Sequence, residues 1–278
     1  MRILLIGDIV GKPGEKIVTR ALAGLRKREN LDLVVANAEN AADGSGLAPS
    51  IYRKLIAAGV DAITLGDHIY RRSEITSVLA TADNIVKPAN FPAAAPGKPW
   101  CVVTAQDGSL VAVISLLGRV FMRPVDCPFA AVDRVLAEIP DNVKIRVVDF
   151  HAEATSDKQL MGRYLDGRVS AVLGTHTHVT TADEQILPGG TAYITDVGMT
   201  GPHDGIIGVE REPALARFLT GLPSRFDTAT GRPRLNAVVI AADERSGHAT
   251  RIERVSVSLE ELEELARSRD AQTSESRR

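Results

Sequence analysis

Five apolar runs in this 278-residue chain stop abruptly at residues able to bind metal or move protons. Leu4-Leu5-Ile6-Gly7 ends at Asp8, Val34-Val35-Ala36 leads to Glu39-Asn40, and Ile63-Thr64-Leu65-Gly66 ends at Asp67-His68. Val147-Val148-Asp149-Phe150 ends at His151, and Val172-Leu173-Gly174-Thr175 ends at His176-Thr177-His178. Taken singly they have ordinary readings: a loop residue at Asp8, a polar turn at Glu39-Asn40, a helix N-cap at Asp67, a satisfied buried histidine at His151. Their coincidence carries the weight, because four of the six histidines and three acids hold the same kind of position. Imidazole mixed with carboxylate suits zinc, iron, manganese or nickel, whereas calcium and magnesium favour oxygen alone. Three protein ligands hold one ion, so the larger set predicts two, with a carboxylate such as Glu39 able to bridge them. If His176-x-His178 is extended, both rings point the same way and face one site. Paired ions about 3.5–4 Å apart clamp the attacking and leaving oxygens in phosphoester hydrolysis.

Residues this far apart in sequence meet only if strands bring them together, and ligand crevices form beyond the carboxyl ends of strands in α/β sheets. Apolar, β-branched runs predict strands over 2–6, 33–36, 61–65, 110–116, 144–150, 171–173, 192–195, 237–241 and 252–257. Amphipathic spacing predicts helices over 13–28, 49–58, 129–138, 156–165 and 213–219. Pro13 is tolerated near a helix start, and Gly59 is a good helix stop. The turn-rich stretch 37–47 and the proline-rich stretch 90–100 read as loops. Early strand–helix alternation and late paired strands predict an α/β protein with a mixed sheet or two packed sheets. Residues 1–258 read as the folded domain, 259–267 as a Leu/Glu helix, and 268–278 as a polar, disordered tail.

Composition narrows the classes further. An apolar share of 44%, a charged share of 24% and a net charge of -2 describe an ordinary globular protein, with no whole-molecule attraction to nucleic acid or membrane. The run Ile3-Leu4-Leu5-Ile6 is too short for a signal peptide, and nothing approaches the roughly 18 apolar residues of a membrane span, so a cytoplasmic location is expected. Cys101 and Cys127 have neither metal spacing nor the numbers for a disulfide framework. The segment from Gly7 to Lys12 lacks P-loop spacing, and no G-x-S-x-G elbow is present. Lys12, Arg119 and Arg123 are candidate phosphate contacts, with Arg119 the substrate-binding choice, although loop cations are usually just solvated.

The arrangement Asp8, Glu39-Asn40, Gly66-Asp67-His68, His151 and Gly174-Thr175-His176-Thr177-His178 resembles the calcineurin-like metallophosphoesterases. More specifically it is similar to their YmdB-like branch, associated with hydrolysis of 2′,3′-cyclic nucleotides and other phosphodiesters. Gly7-Asp8-Ile9-Val10-Gly11, Lys87-Pro88-Ala89-Asn90, Gly118-Arg119-Val120-Phe121-Met122 and Thr195-Asp196-Val197-Gly198-Met199 extend the likeness. The resemblance implies a four-layer αββα sandwich with mixed sheets and two metal ions, iron or manganese, with zinc the alternative. It implies one ion on Asp8, Glu39 and His178, with Asn40 beside it contacting a ligand oxygen. The other ion would take Glu39, Asp67, His151 and His176. A hydroxide bridging the ions would attack phosphorus, and His68 would be the catalytic acid for the departing alkoxide. The implied partners are a small phosphodiester, RNA ends as a second candidate, and a second copy of the chain in a homo-oligomer.

Three departures stand out. Val10 replaces the histidine of the superfamily's Asp-x-His, a loss the branch shares, with Glu39 filling the role. Asp67 stands where the branch often has asparagine, and its extra charge should make a metal-bound water less acidic. Tyr70-Arg71 replaces a common Trp-Asp, which alters substrate-side contacts. The rival readings are a noncatalytic metal-dependent regulatory or RNA-binding protein and, within enzymes, a phosphomonoesterase or nuclease. Along the sequence no aromatic–basic cluster favours extensive nucleic-acid binding.

Overall fold

The structure, a computed structural model, describes residues 1–261. Its strands are β1 (Arg2–Ile6), β2 (Leu33–Asn37), β3 (Ala62–Thr64), β4 (Ile85–Val86), β5 (Trp100–Thr104), β6 (Leu110–Leu117), β7 (Ile145–His151), β8 (Ala171–Thr175), β9 (Gln185–Ile186), β10 (Ala192–Ile194), β11 (Gly201–Pro202), β12 (Pro233–Ala242) and β13 (Ala249–Ser258). Its helices are α1 (Gly11–Glu29), α2 (Pro49–Ala57), α3 (Thr76–Thr81), α4 (Pro128–Glu138), α5 (Thr155–Tyr164) and α6 (Arg211–Thr220).

Two mixed sheets result. In the first, β1 to β4 run parallel, and β12 joins β1 antiparallel with β11 and β13 paired to it. In the second, β6, β7, β8 and β10 run parallel, and β5 and β9 close the edges antiparallel. Both faces of the central strands are buried, which is why they read as continuous apolar runs rather than alternating ones. Ile3, Leu5, Val35, Val113, Val147 and Leu173 meet between the sheets. Leu4, Ile6 and Val34 face outward and pack against Ile17, Val18, Ala21, Leu22 and Leu25 of α1, one helical stripe. On the other outer face Ile114, Leu116, Val148 and Phe150 are covered by Val132 and Val135 of α4 and Met161 of α5. This is the expected αββα sandwich.

The boundaries differ locally from the sequence reading. The hairpin β12–β13 has ten residues a strand and nine paired positions, well beyond the apolar cores 237–241 and 252–257, because ladder bonds extend the strands past their apolar centres. The end of the proline-rich stretch is an edge strand, β5, where Pro99 just before it costs no ladder bond. Two-residue strands such as β4 and β9 carry too few residues for any periodic signal. Residues 259–261 begin a helical turn, and the rest of the predicted 259–267 helix and the 268–278 tail lie outside the described residues. Among the described residues no helix is long and apolar enough to cross a membrane.

Candidate metal centre

The parallel strands of both sheets deliver their carboxyl ends to one rim. Past β1 comes Asp8, past β2 come Glu39 and Asn40, and past β3 come Asp67 and His68. From the opposite sheet β7 ends in His151, and β8 leads to His176 and His178. Asp8, Glu39 and His151 are fully buried and Asn40 nearly so, while Asp67, His68, His176 and His178 line a partly open mouth.

One ligand atom each from Glu39, Asp67, His151 and His176 fall within 4.8 Å of one another. His151 Nε2 is 2.9 Å from Glu39 Oε1, 3.3 Å from Asp67 Oδ1 and 3.0 Å from His176 Nδ1. A second half lies alongside. Asn40 Nδ2 is 3.2 Å from Glu39 Oε1 and 3.3 Å from His178 Nε2, and Asp8 Oδ1 is 3.7 Å from His151 Nδ1. His68 sits between the halves, with Nδ1 2.7 Å from Asn40 Oδ1 and Nε2 3.7 Å from Asp67 Oδ2. The chain thus brings together all eight residues singled out at the strand ends. Lys12 and Arg119 are not among them. Arg119 is held by its backbone N–H on Asp157, with its guanidinium beside the Cys127 thiol, and Arg123 is the cation that reaches the Asp67 backbone.

One expectation is corrected. His176 and His178 do not lie on an extended segment: both adopt left-handed backbone, with φ of 96° and 66°. The rings therefore diverge, His176 to the Asp67 half and His178 to the Asn40 half. Such conformations are strained for a residue with a Cβ and persist where surrounding structure imposes them.

Two observations test whether metal ions fit. Asp8 Oδ1 is a buried carboxylate oxygen with no hydrogen-bond partner, a costly state that a bound cation relieves. Gly66 leaves open the space between the ligands, for a Cβ there would collide with Glu39 Oε2 and His151 Nε2. Both observations fit a cation among these donors. Electrostatics agree. Burial pushes Asp8 up to about 6, against the pull of His151 and His178. Burial also acts to raise Glu39 and Asp67, but His151 outweighs it and holds both below the ordinary carboxylate range. Burial opposes charge on His151, yet Glu39, Asp67 and Asp8 more than offset it and raise that imidazole well above its ordinary value. His176 is pushed down to about 4 by burial and by neighbouring His151. Three carboxylates thus share one imidazolium, the balance a divalent ion would take over.

The supporting residues escaped the sequence reading. His151 Nδ1 is anchored 2.9 Å from Thr175 Oγ1, which donates to Asp149 at 2.6 Å. Asp149 also accepts from Thr64 and Asn37, so one buried acid ties three strands together behind the ring. His178 Nδ1 rests 2.8 Å from the Ile207 carbonyl, leaving Nε2 for the centre. Such contacts fix which nitrogen of a ligand imidazole is free. Asp149 stands two residues before His151 on β7, hence on the same face, and that spacing was the available signal. Asp196, just past β10, repeats the strand-end acid pattern and is bound by Lys158.

A family described as YmdB-like protein matches residues 4–255. The chain is 49% identical over 258 residues to the 2′,3′-cyclic-nucleotide 2′-phosphodiesterase of Bacillus subtilis strain 168, covering 93% of this chain and 97% of that one. The crystal structure of a hypothetical protein from Thermus thermophilus matches with a TM-score of 0.87 at 44% identity, over 93% of this chain and 99% of that one. A novel phosphatase from Mycoplasma pneumoniae has the same TM-score, 0.87, at 32% identity over 93% of both chains.

Proposed function

The chain belongs to the YmdB-like family, and from that premise we propose that this phosphodiester hydrolase opens 2′,3′-cyclic nucleotides at a centre of two metal ions. The observation that carries the two-ion reading is Asp8 Oδ1, buried and unpartnered on the side of the cluster away from Asp67. One ion would be held by Asp8, Glu39 and His178, and the other by Glu39, Asp67, His151 and His176. Iron or manganese suits this imidazole–carboxylate set, with zinc the alternative. When bound, the ions supply Lewis acidity that polarises the phosphoryl oxygens and acidifies the attacking water.

The chain's own residues supply the remainder. Asn40 turns its amide group toward the first site and its carbonyl toward His68 Nδ1 at 2.7 Å, which orients that ring. The His68 side chain is 29% exposed, so it faces incoming substrate, and Nε2 is the position from which a proton leaves. Water adds to phosphorus, the 2′ P–O bond breaks, the 2′ oxygen takes the His68 proton, and a 3′-phosphomonoester remains. The enzyme acts in the cytoplasm as a self-associated molecule, and the exposed row Leu215, Phe218 and Leu219 on α6 supports contact between copies.

Hydrolysis of 2′,3′-cyclic AMP and bis-p-nitrophenyl phosphate tests this proposal, with the protein metal-stripped and then reloaded with manganese or iron. Activity should return with metal and be absent in Asp8→Ala. His68→Ala should keep its metal and lose about 10²–10⁴-fold in turnover. Loss of metal from His68→Ala would make His68 a ligand, and full occupancy without turnover on any phosphoester would sink the enzymatic reading.

A further inference from the structure

Beside the centre, on its Asp67 side, lies a cavity of about 380 Å³ lined by Asp67, Tyr70, Arg71 and Arg123. Its wall is built of linked rings and cations. Arg123 donates from Nη1 to the Asp67 carbonyl at 3.4 Å, and its guanidinium lies 5.2 Å from the Phe91 ring centroid. Phe91 meets Tyr70 edge to face at 5.9 Å, and the Tyr70 hydroxyl donates to the Pro96 carbonyl at 2.5 Å. Arg71 has no ion-pair partner among the described residues. The cavity therefore holds two guanidinium groups against a single carboxylate, and Asp67 is the one the metal centre claims.

The loop that delivers Arg123 to this cavity also carries Phe121, two residues earlier. Gly118 donates its N–H to the His151 carbonyl at 2.9 Å, Arg119 and Val120 donate theirs to Asp157 at 3.0 Å each, and Arg123 reaches Asp67. A loop strapped at both ends to backbone of the centre holds Phe121 with φ of 60° and 90% of its surface exposed. A bulky residue in that backbone region is strained, and here no burial compensates it. An exposed ring on the loop that supplies one of two guanidinium groups is the apparatus that binds single-stranded nucleic acid: the ring stacks a base and the cations hold backbone phosphate. Along the chain Phe121 has only Arg119 and Arg123 near it, too few to read as a nucleic-acid-binding cluster, and Arg71 joins Arg123 only through the fold.

Resting on the phosphodiesterase reading, we infer that this face is a second-nucleotide subsite and that the favoured substrate is an RNA 3′ end carrying a 2′,3′-cyclic phosphate. A free 2′,3′-cyclic nucleotide ends in a 5′-hydroxyl, and with its one phosphate at the centre it has no second phosphate for the two guanidinium groups. An RNA end offers the phosphodiester that joins its last two nucleotides, and Phe121 stacks the penultimate base.

The test compares kcat/KM of the metal-loaded protein on 2′,3′-cyclic AMP and on an adenylyl dinucleotide ending in 2′,3′-cyclic phosphate. The wild type should prefer the dinucleotide by about tenfold or more, and Arg71→Ala should bring the ratio toward one. Phe121→Ala should weaken the dinucleotide by about 5- to 100-fold, the effect of losing one stacked base. A binding arm uses metal-stripped protein with the 3′-phosphorylated dinucleotide and with 3′-AMP. Wild type should hold the dinucleotide more tightly, with a salt dependence that Arg71→Ala reduces. Equal kcat/KM for both substrates, or a ratio that neither variant moves, overturns the subsite while leaving the diesterase proposal standing. If neither substrate turns over, the diesterase proposal fails, and equal affinity for dinucleotide and 3′-AMP in the binding arm would then overturn the subsite as well.

Discussion

Replacing Lys158 by methionine should destabilise the protein by about 3–5 kcal/mol, although Lys158 touches no residue assigned to metal. Lys158 and Asp196 are almost wholly buried, at 1% and 0% exposure, and Nζ lies 2.6 Å from Oδ2. Asp196 also accepts from Thr177 Oγ1 at 2.6 Å, Thr177 N–H at 3.1 Å and Gly198 N–H at 2.8 Å. Methionine keeps much of the apolar stem, so the loss is mainly the counter-charge, which leaves a carboxylate stranded in the interior. For a chain of this size each kcal/mol moves Tm by about 2–4 °C, so the melting temperature should fall by about 6–20 °C. Adding Asp196→Asn removes the stranded charge and should recover about 1–3 kcal/mol, a coupling that a double-mutant cycle reads directly. Urea titration of the metal-free proteins gives the energies. Metal uptake gives the functional consequence, because Thr177 stands between His176 and His178 and the acid pins their loop. A loss under 1 kcal/mol in Lys158→Met, or a double variant no more stable than the single one, would refute the reasoning.

Gly66→Ala should leave the fold intact by circular dichroism and abolish metal uptake, since its methyl collides with Glu39 and His151. Asp67→Asn should weaken metal retention and move the acidic limb of the pH–rate profile to lower pH, because one negative charge leaves the centre; a limb that stays in place would contradict the charge argument. Metal uptake near pH 7 should release about one proton, from the His151 imidazole that neighbouring carboxylates keep charged in the metal-free chain. The release should grow below pH 6, where buried Asp8 is protonated as well, and apparent affinity should fall as pH falls. Calorimetry in two buffers of different ionisation enthalpy measures it, and uptake without proton release would refute a charged His151.

The centre was unusually legible because its residues stand directly past strands. A parallel strand buried on both faces is a dense apolar run, so the polar residue that ends it is conspicuous, as at Asp8, Asp67 and His151. The helices α1, α2, α4 and α5 were legible from their apolar stripes, to within two residues at either end. Short edge strands were not, because two residues show no periodicity and only pairing with a neighbouring strand defines them.

Sequence by itself determined which residues gather: ligand chemistry is local to each side chain, and parallel strands carry their carboxyl ends to one rim. What only tertiary structure decided is the backbone that divides them and the residues that support them. Left-handed backbone at His176 and His178 parts two rings that a strand would have kept together. Asp149 became a support because burial left it only the polar side chains of neighbouring strands as partners, and Asp196 and Lys158 because burial left them each other and the loops of the centre. Arg71 and Arg123, 52 positions apart, meet at one cavity only because the fold brings their loops together. Distances across a fold are set by packing between sheets, and nothing in the spacing of residues along a chain encodes them.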